Sequence, residues 1–137
     1  MRRFVLDASV SLCWCFENQA TKYTERVFDW MAGGAEALVP FLWPAEMANG
    51  LVSAERRKHS TPARVAALLE AINQWPIHVD RAGIDRVFQQ ILTLARECAL
   101  TTYDAAYLEL AMREALPLAA LDNRLRKAAL ATGIATA

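Results

Sequence analysis

Histidine, cysteine, glycine and proline are all scarce in this 137-residue chain, at 2, 3, 5 and 5 residues. The few cysteines and histidines form no quartet with zinc spacing. Cys13 and Cys15, two apart on an expected helix, point to different sides and cannot close a sensible disulfide. With Cys98 they read as small buried apolar residues in a reducing compartment. Low glycine and proline exclude a linker or a low-complexity segment. No apolar run reaches the ~18 residues that span a membrane. The N-terminus, Met1-Arg2-Arg3-Phe4-Val5-Leu6-Asp7, opens like a signal peptide but meets a charge too soon. It reads instead as a first strand, and the protein as cytoplasmic with no membrane partner. Neither sign of charge prevails: 15 basic residues face 15 acidic ones.

What is present is apolar sequence, 55% of the chain, enough to exclude disorder and to build one domain over residues 1–137. Strand-like runs occur at 3–7, 36–39, 77–80, 118–121 and 134–136. Most are short and unalternating, as in strands buried on both faces. Helix-like stretches occupy 8–16, 19–32, 44–57, 62–74, 83–98, 103–115 and 122–132, with Ser60-Thr61-Pro62 as an N-cap followed by a first-turn proline. This alternation predicts an α/β fold with a parallel sheet.

Four acids stand at element boundaries. Asp7 closes Phe4-Val5-Leu6, and Asp122 closes Leu118-Ala119-Ala120-Leu121. Glu46 and Asp104 fall in the first turns of expected helices. Taken singly, each is a cap or a dipole-complementing residue before it is anything else. Thr101-Thr102-Tyr103-Asp104 even resembles a capping box. Two details pull the other way. Gly50, one turn beyond Glu46, leaves room for a close neighbour or a ligand at a cost of about 1 kcal/mol. Asp104 heads an apolar stripe with Leu108 and Ala111, and a buried carboxylate needs a partner. In an open α/β sheet the carboxyl ends of the strands form the ligand crevice. Four carboxylates gathered there repel one another without cations, which implies Mg²⁺ or Mn²⁺. Setting them aside leaves 15 bases against 11 acids, a mildly basic surface around an acidic pit that suits a polyanion. Arg124, Arg126 and Lys127 follow Asp122 as a solvated face or a phosphate contact. Glu55-Arg56-Arg57-Lys58-His59 reads first as a basic helix end. His59 and His78 lack a context for acid–base work. Trp14, Phe16 and Phe41-Leu42-Trp43 read as core, with a groove for a partner helix as the alternative.

The motifs Phe4-Val5-Leu6-Asp7-Ala8-Ser9, Pro44-Ala45-Glu46-Met47-Ala48-Asn49-Gly50-Leu51, Leu100-Thr101-Thr102-Tyr103-Asp104-Ala105-Ala106-Tyr107 and Leu118-Ala119-Ala120-Leu121-Asp122-Asn123-Arg124-Leu125 resemble, in order and spacing, those of the PIN domain. In size the chain looks like the toxin member of the VapBC toxin–antitoxin family. The resemblance implies a three-layer α/β/α fold around a twisted parallel sheet of about five strands. It implies a Mg²⁺- or Mn²⁺-dependent endoribonuclease with Asp7, Glu46, Asp104 and Asp122 as catalytic metal ligands and Ser9 and Thr101 in supporting polar roles. A cation-acidified water would attack phosphorus in line. The implied partners are an RNA substrate, a cognate antitoxin and a second copy in a homodimer. One departure stands out: Ala120 replaces a hydroxyl residue usual two positions before the last aspartate, which weakens the surroundings of Asp122. The competing reading is a PIN-fold module of little activity serving in a regulatory complex with its antitoxin. A phosphatase or receiver domain would want Asp-x-Asp, or paired acids with a late lysine, and Asp7-Ala8-Ser9 does not supply it.

Overall fold

The computed structural model describes residues 2–16 and 18–137. Its centre is β1, Arg3–Leu6, in which Phe4, Val5 and Leu6 are all fully buried. Consecutive residues of a strand face opposite ways, so their joint burial means that both faces of the sheet are covered. β2 (Glu36–Pro40) lies parallel to β1 with Val5 opposite Leu38, and β3 (Ile77–Asp80) lies parallel to β2. β4 (Leu118–Ala119) pairs on the other side of β1, giving the order β3-β2-β1-β4. The chain moves one way from β1 to β2 and β3 and returns on the opposite side for β4. The strand order therefore reverses at the β1–β4 seam.

The helices are α1 (Ala8–Leu12), α2 (Lys22–Ala32), α3 (Trp43–Arg56), α4 (Pro62–Gln74), α5 (Leu92–Cys98), α6 (Thr102–Glu114) and α7 (Asn123–Ala131). Thr21 caps α2 in a capping box with Thr24, and Thr61 caps α4 just ahead of Pro62. Helix α6 is the most buried: Ala105 to Ala111 are all inside, packed over β1, β2 and β4. The arrangement is that of an α/β/α fold on a parallel sheet. Among the described residues, no helix is long and apolar enough to cross a membrane.

Three expectations change. The sheet has four strands rather than about five: 134–136 contributes one bridge, Leu118 to Thr136, carried by Leu118 N–H to Ala135 O and Ala137 N–H to Leu118 O, both 2.9 Å. β4 spans two residues and offers no longer ladder for a further strand. The helix expected at 8–16 stops at Leu12 and continues as turns through Cys15. The helix expected at 83–98 is a 3₁₀ turn (Ala82–Arg86), a π turn (Val87–Ile91) and then α5. The Asp80 carboxylate takes the Gly83 N–H at 3.1 Å and holds the first turn tight. The wide turn that follows restores the register that buries Ile91, Leu94 and Ala95. The Asp80 side chain is itself gripped by Arg113 through two bonds of 3.0 and 2.7 Å, and Arg113 Nε reaches Glu109 at 2.9 Å.

The cysteines are free, with Cys13 and Cys15 buried. Trp43 is core, its Nε1–H donating to Ser11 Oγ at 3.3 Å. Half-buried Trp14 donates to Thr24 O at 2.9 Å and meets Phe28 and Trp75 edge-on. Gly50 does leave room for a close neighbour, and the neighbour is Leu12 of α1: a Cβ on Gly50 would lie 2.5 Å from a Leu12 methyl. Gly50→Ala is expected to lose about 1 kcal/mol net, because overpacking costs about 1–3 kcal/mol against roughly 1 gained in helix propensity. Urea unfolding of Gly50→Ala, Leu12→Ala and the double variant tests this. Coupling of at least about 0.5 kcal/mol is expected; strict additivity would place the clash elsewhere.

Candidate active site at the carboxyl edge of the sheet

Asp7 follows the last residue of β1, and its backbone N–H donates to Ala119 O at 2.9 Å, which ties it to β4. It is the N-cap of α1, its carboxylate accepting from Ser9 N–H at 3.3 Å. The Ser9 hydroxyl also donates to Asp7 Oδ2 in a short hydrogen bond and accepts from Leu121 N–H at 3.3 Å. Ser9 thus bridges the Asp7 carboxyl and the β4–α7 connection that leads to Asp122. Asp122 is the N-cap of α7, accepting from Leu125 N–H at 3.2 Å.

Glu46 lies in the first turn of α3, where Pro44 replaces an N–H that would have no partner. It accepts a 2.7 Å hydrogen bond from the Tyr107 hydroxyl, and that hydroxyl accepts from Ala8 N–H at 3.4 Å. Tyr107 is wholly buried and ties the turn after Asp7 to Glu46. Sequence reasoning passed it over as part of a motif. The available signal was a hydroxyl three residues beyond Asp104 in an otherwise apolar stripe. Asp104 sits in the first turn of α6, its N–H capped by Thr101 Oγ1 at 3.1 Å. The stripe expected beneath it is real, with Leu108 and Ala111 fully buried.

The carboxyls affect one another. Asp7 is only 6% exposed. Burial pushes its pKa up to about 7, with the charges of Glu46 and Asp104 adding to the rise and the Ser9 bonds opposing it. Glu46 is raised by burial and by Asp104, against the Tyr107 bond. Asp104 is raised by burial and by Asp122, against Thr101. All four acids thus fall within one electrostatic neighbourhood. They do not form a closed ligand set: among the described residues no three His, Cys, Asp or Glu side chains stand close enough to hold one metal ion. Their chemistry still suits a hard divalent cation, since every donor is a carboxylate oxygen and the burial and like charge that raise the pKa of three of them would be relieved by a bound cation. Ala120 is buried beside Asp122 and brings no hydroxyl. A cavity of about 580 Å³ lined by Arg86, Gln90, Glu109 and Arg113 lies toward the far end of α6, and none of the four acids lines it. At this edge Asp7 is buried, Glu46 and Asp104 are half-buried and Asp122 is exposed.

The Asp7 shift has a stability consequence with a definite sign. Its folded pKa of about 7 exceeds the ordinary value of 3.8, so between those values the folded state holds a proton that the unfolded state has lost. Stability therefore falls as pH rises through this window and levels off above it, by roughly a few kcal/mol. Asp7→Asn removes the ionisation, so the variant is expected to melt higher than wild type at pH 8 and to show a flatter profile from pH 5 to 8. Parallel profiles in thermal melts would contradict the buried, crowded carboxyl.

No curated protein sequence matches the chain. Among solved structures it is similar to the crystal structure of PAE2754 from Pyrobaculum aerophilum, at 22% identity with a TM-score of 0.65, over 93% of this chain and 79% of that one. The likeness shows the shared fold. The PIN domain family matches residues 4–130, which span all four carboxylates and the whole sheet. With a parallel α/β sheet and an acidic carboxyl edge beneath it, the chain belongs to the PIN domain family, whose members are commonly nucleases.

Proposed function

We propose that this PIN domain is a Mg²⁺- or Mn²⁺-dependent endoribonuclease and the toxin of a type II toxin–antitoxin pair. The observation that carries the reading is Asp7: a buried carboxyl with a pKa raised to about 7, placed with Glu46, Asp104 and Asp122 at the point where strand order reverses. Those four residues would supply the cation's oxygen ligands, closing on it from the wider spacing they have here. The chemistry it supplies is Lewis-acid polarisation of the phosphate and acidification of the attacking water. The chain's own groups set the stage. Ser9 orients the Asp7 carboxyl, Tyr107 fixes Glu46, and Thr101 secures the helix end that carries Asp104. The Ser9 hydroxyl is engaged on both sides, by Asp7 and Leu121, so it is a supporting group rather than a nucleophile. His59 and His78 are exposed, and neither hydrogen-bonds any of the four acids.

The cognate antitoxin and the homodimer belong to the same proposal and rest on the resemblance to VapC toxins. A cavity of about 340 Å³ between α3 and α4, lined by Pro44, Met47, Leu51, Val65 and Leu69, offers an apolar seat for a partner helix. The missing hydroxyl at Ala120 favours the second reading, a weakly active module retained for its complex with an antitoxin.

The purified chain is expected to cleave single-stranded RNA with Mg²⁺ or Mn²⁺, to stop in excess EDTA, and to lose about 100-fold or more on Asp104→Asn. Mn²⁺ affinity measured by calorimetry is expected to fall as pH drops below 7, since Asp7 must release its proton to bind. Cleavage undiminished by EDTA would end the metal-nuclease reading. Induction in cells is expected to arrest growth unless a partner is co-expressed. Arrest-free growth with full cleavage in vitro would remove the toxin, and absent cleavage with intact Mn²⁺ binding would favour the binding module.

A further inference from the structure

Three arginines are balanced by acids, and Arg2 lies over the Trp30 ring. Arg3 pairs with Glu36, Arg86 with Glu109, and Arg113 with Asp80 and Glu109. Arg26 and Arg126 are different. Each guanidinium stands 5.6 Å from the centroid of the same ring, that of Tyr23. Among the described residues, neither forms an ion pair with a carboxylate. Both lie within 5.6 Å of one point, so the two cations are at most about 11 Å apart. Two like charges on one ring, neither ion-paired among the described residues, are a ready position for an anion.

The place is as informative as the charge. Arg126 is one turn into α7, its N–H bonded to Asp122 O at 3.0 Å, so it rises directly from the helix that Asp122 caps. Tyr23 and Arg26 come from the start of α2. The Tyr23 hydroxyl is buried without a well-formed hydrogen bond, beside the Ala120 backbone and within the field of Asp7. The ring thus lies against the β4–α7 connection at Ala120, on the Asp7 side of the acidic edge. It holds two arginines on the rim of a site that is otherwise repulsive to a polyanion.

We propose that Arg26 and Arg126, held at the Tyr23 ring, form a subsite for a backbone phosphate of single-stranded RNA, one that flanks the phosphate at the acidic edge. A guanidinium presents paired donors to phosphate oxygens, which a lysine cannot match in geometry. Positive charge at this rim draws in the strand that the acids repel and sets its direction, across the seam between α2 and α7. The assignment rests on the ribonuclease reading, but its test does not depend on cleavage.

Binding of a short fluorescent oligouridylate is measured by anisotropy in EDTA over a range of salt. Each phosphate contact to a single strand contributes about 0.7 to the slope of log K against log salt. Arg26→Ala and Arg126→Ala are each expected to reduce the slope by about 0.7 and the double variant by about 1.4. Arg26→Lys and Arg126→Lys are expected to keep the slope while binding more weakly. Arg2→Ala, which removes a guanidinium stacked 3.9 Å from Trp30 beside the start of β1, is expected to leave both unchanged. Thermal melts confirm that each variant is folded. Unchanged slopes in both alanine variants, with wild type binding and cleaving RNA, would overturn the subsite alone. Failure of the wild type both to bind and, in Mg²⁺, to cleave would overturn the ribonuclease reading with it. If the two substitutions weaken binding of a polyglutamate peptide but not of RNA, the arginines serve an acidic protein partner and the proposal is wrong.

Discussion

Two backbone hydrogen bonds seat β4 beside β1: Val5 N–H to Pro117 O and Asp7 N–H to Ala119 O, each 2.9 Å. They make the sheet reverse its order at β1, and at such a reversal the connections on the carboxyl side diverge and leave a crevice. Asp7 is at once the last participant in that pairing and the first residue of the site. From it a continuous polar path runs outward. Ser9 carries it to Leu121 and the Asp122 turn, and Tyr107 carries it from Ala8 to Glu46. The position of each of these carboxyls is therefore set by the topology of the sheet as much as by its own helix.

Capping and metal binding, posed as alternatives from sequence, are geometrically compatible at this edge. Asp7 and Asp122 do cap α1 and α7, and Thr101 does cap α6 ahead of Asp104. A helix N-terminus at the carboxyl edge of a parallel sheet points its first turn at the crevice, so a capping acid stands where a ligand would. The acids were legible because apolar runs and capping signals are local. Tyr107 was not, because its partner Glu46 lies 61 residues away and only the fold unites them. The fifth strand failed for a similar reason. A run such as Ile134-Ala135-Thr136 is strand-like by composition, but a ladder needs an equally long neighbour, and β4 supplies two residues. The broken helix after β3 reflects a distant anchor too, since Asp80 is held by Arg113 from α6.

The charged residues divide by the company they keep. Arg113, forked onto Asp80 and Glu109, is itself raised in pKa by those two acids and lowers that of Asp80. This group joins the end of β3 to the last turns of α6 and has the marks of architecture: partly buried, charge-balanced and geometrically closed. The carboxyl edge is the reverse, with one sign of charge and raised pKa values. Zero net charge over the chain conceals both arrangements. It is the local imbalance that carries chemical meaning.

The contact of Leu12 with Gly50 couples two parts of the site. Leu12 fills the notch that the glycine leaves, so α1 cannot slide along α3, and the elements carrying Asp7 and Glu46 are locked as one unit. Asp122 hangs instead from a two-residue strand backed by a single bridge. On the other side α7 is anchored by its buried Leu125 and Ala129. Any motion that separates Asp7 from Glu46 must first expel Leu12 from the notch at Gly50.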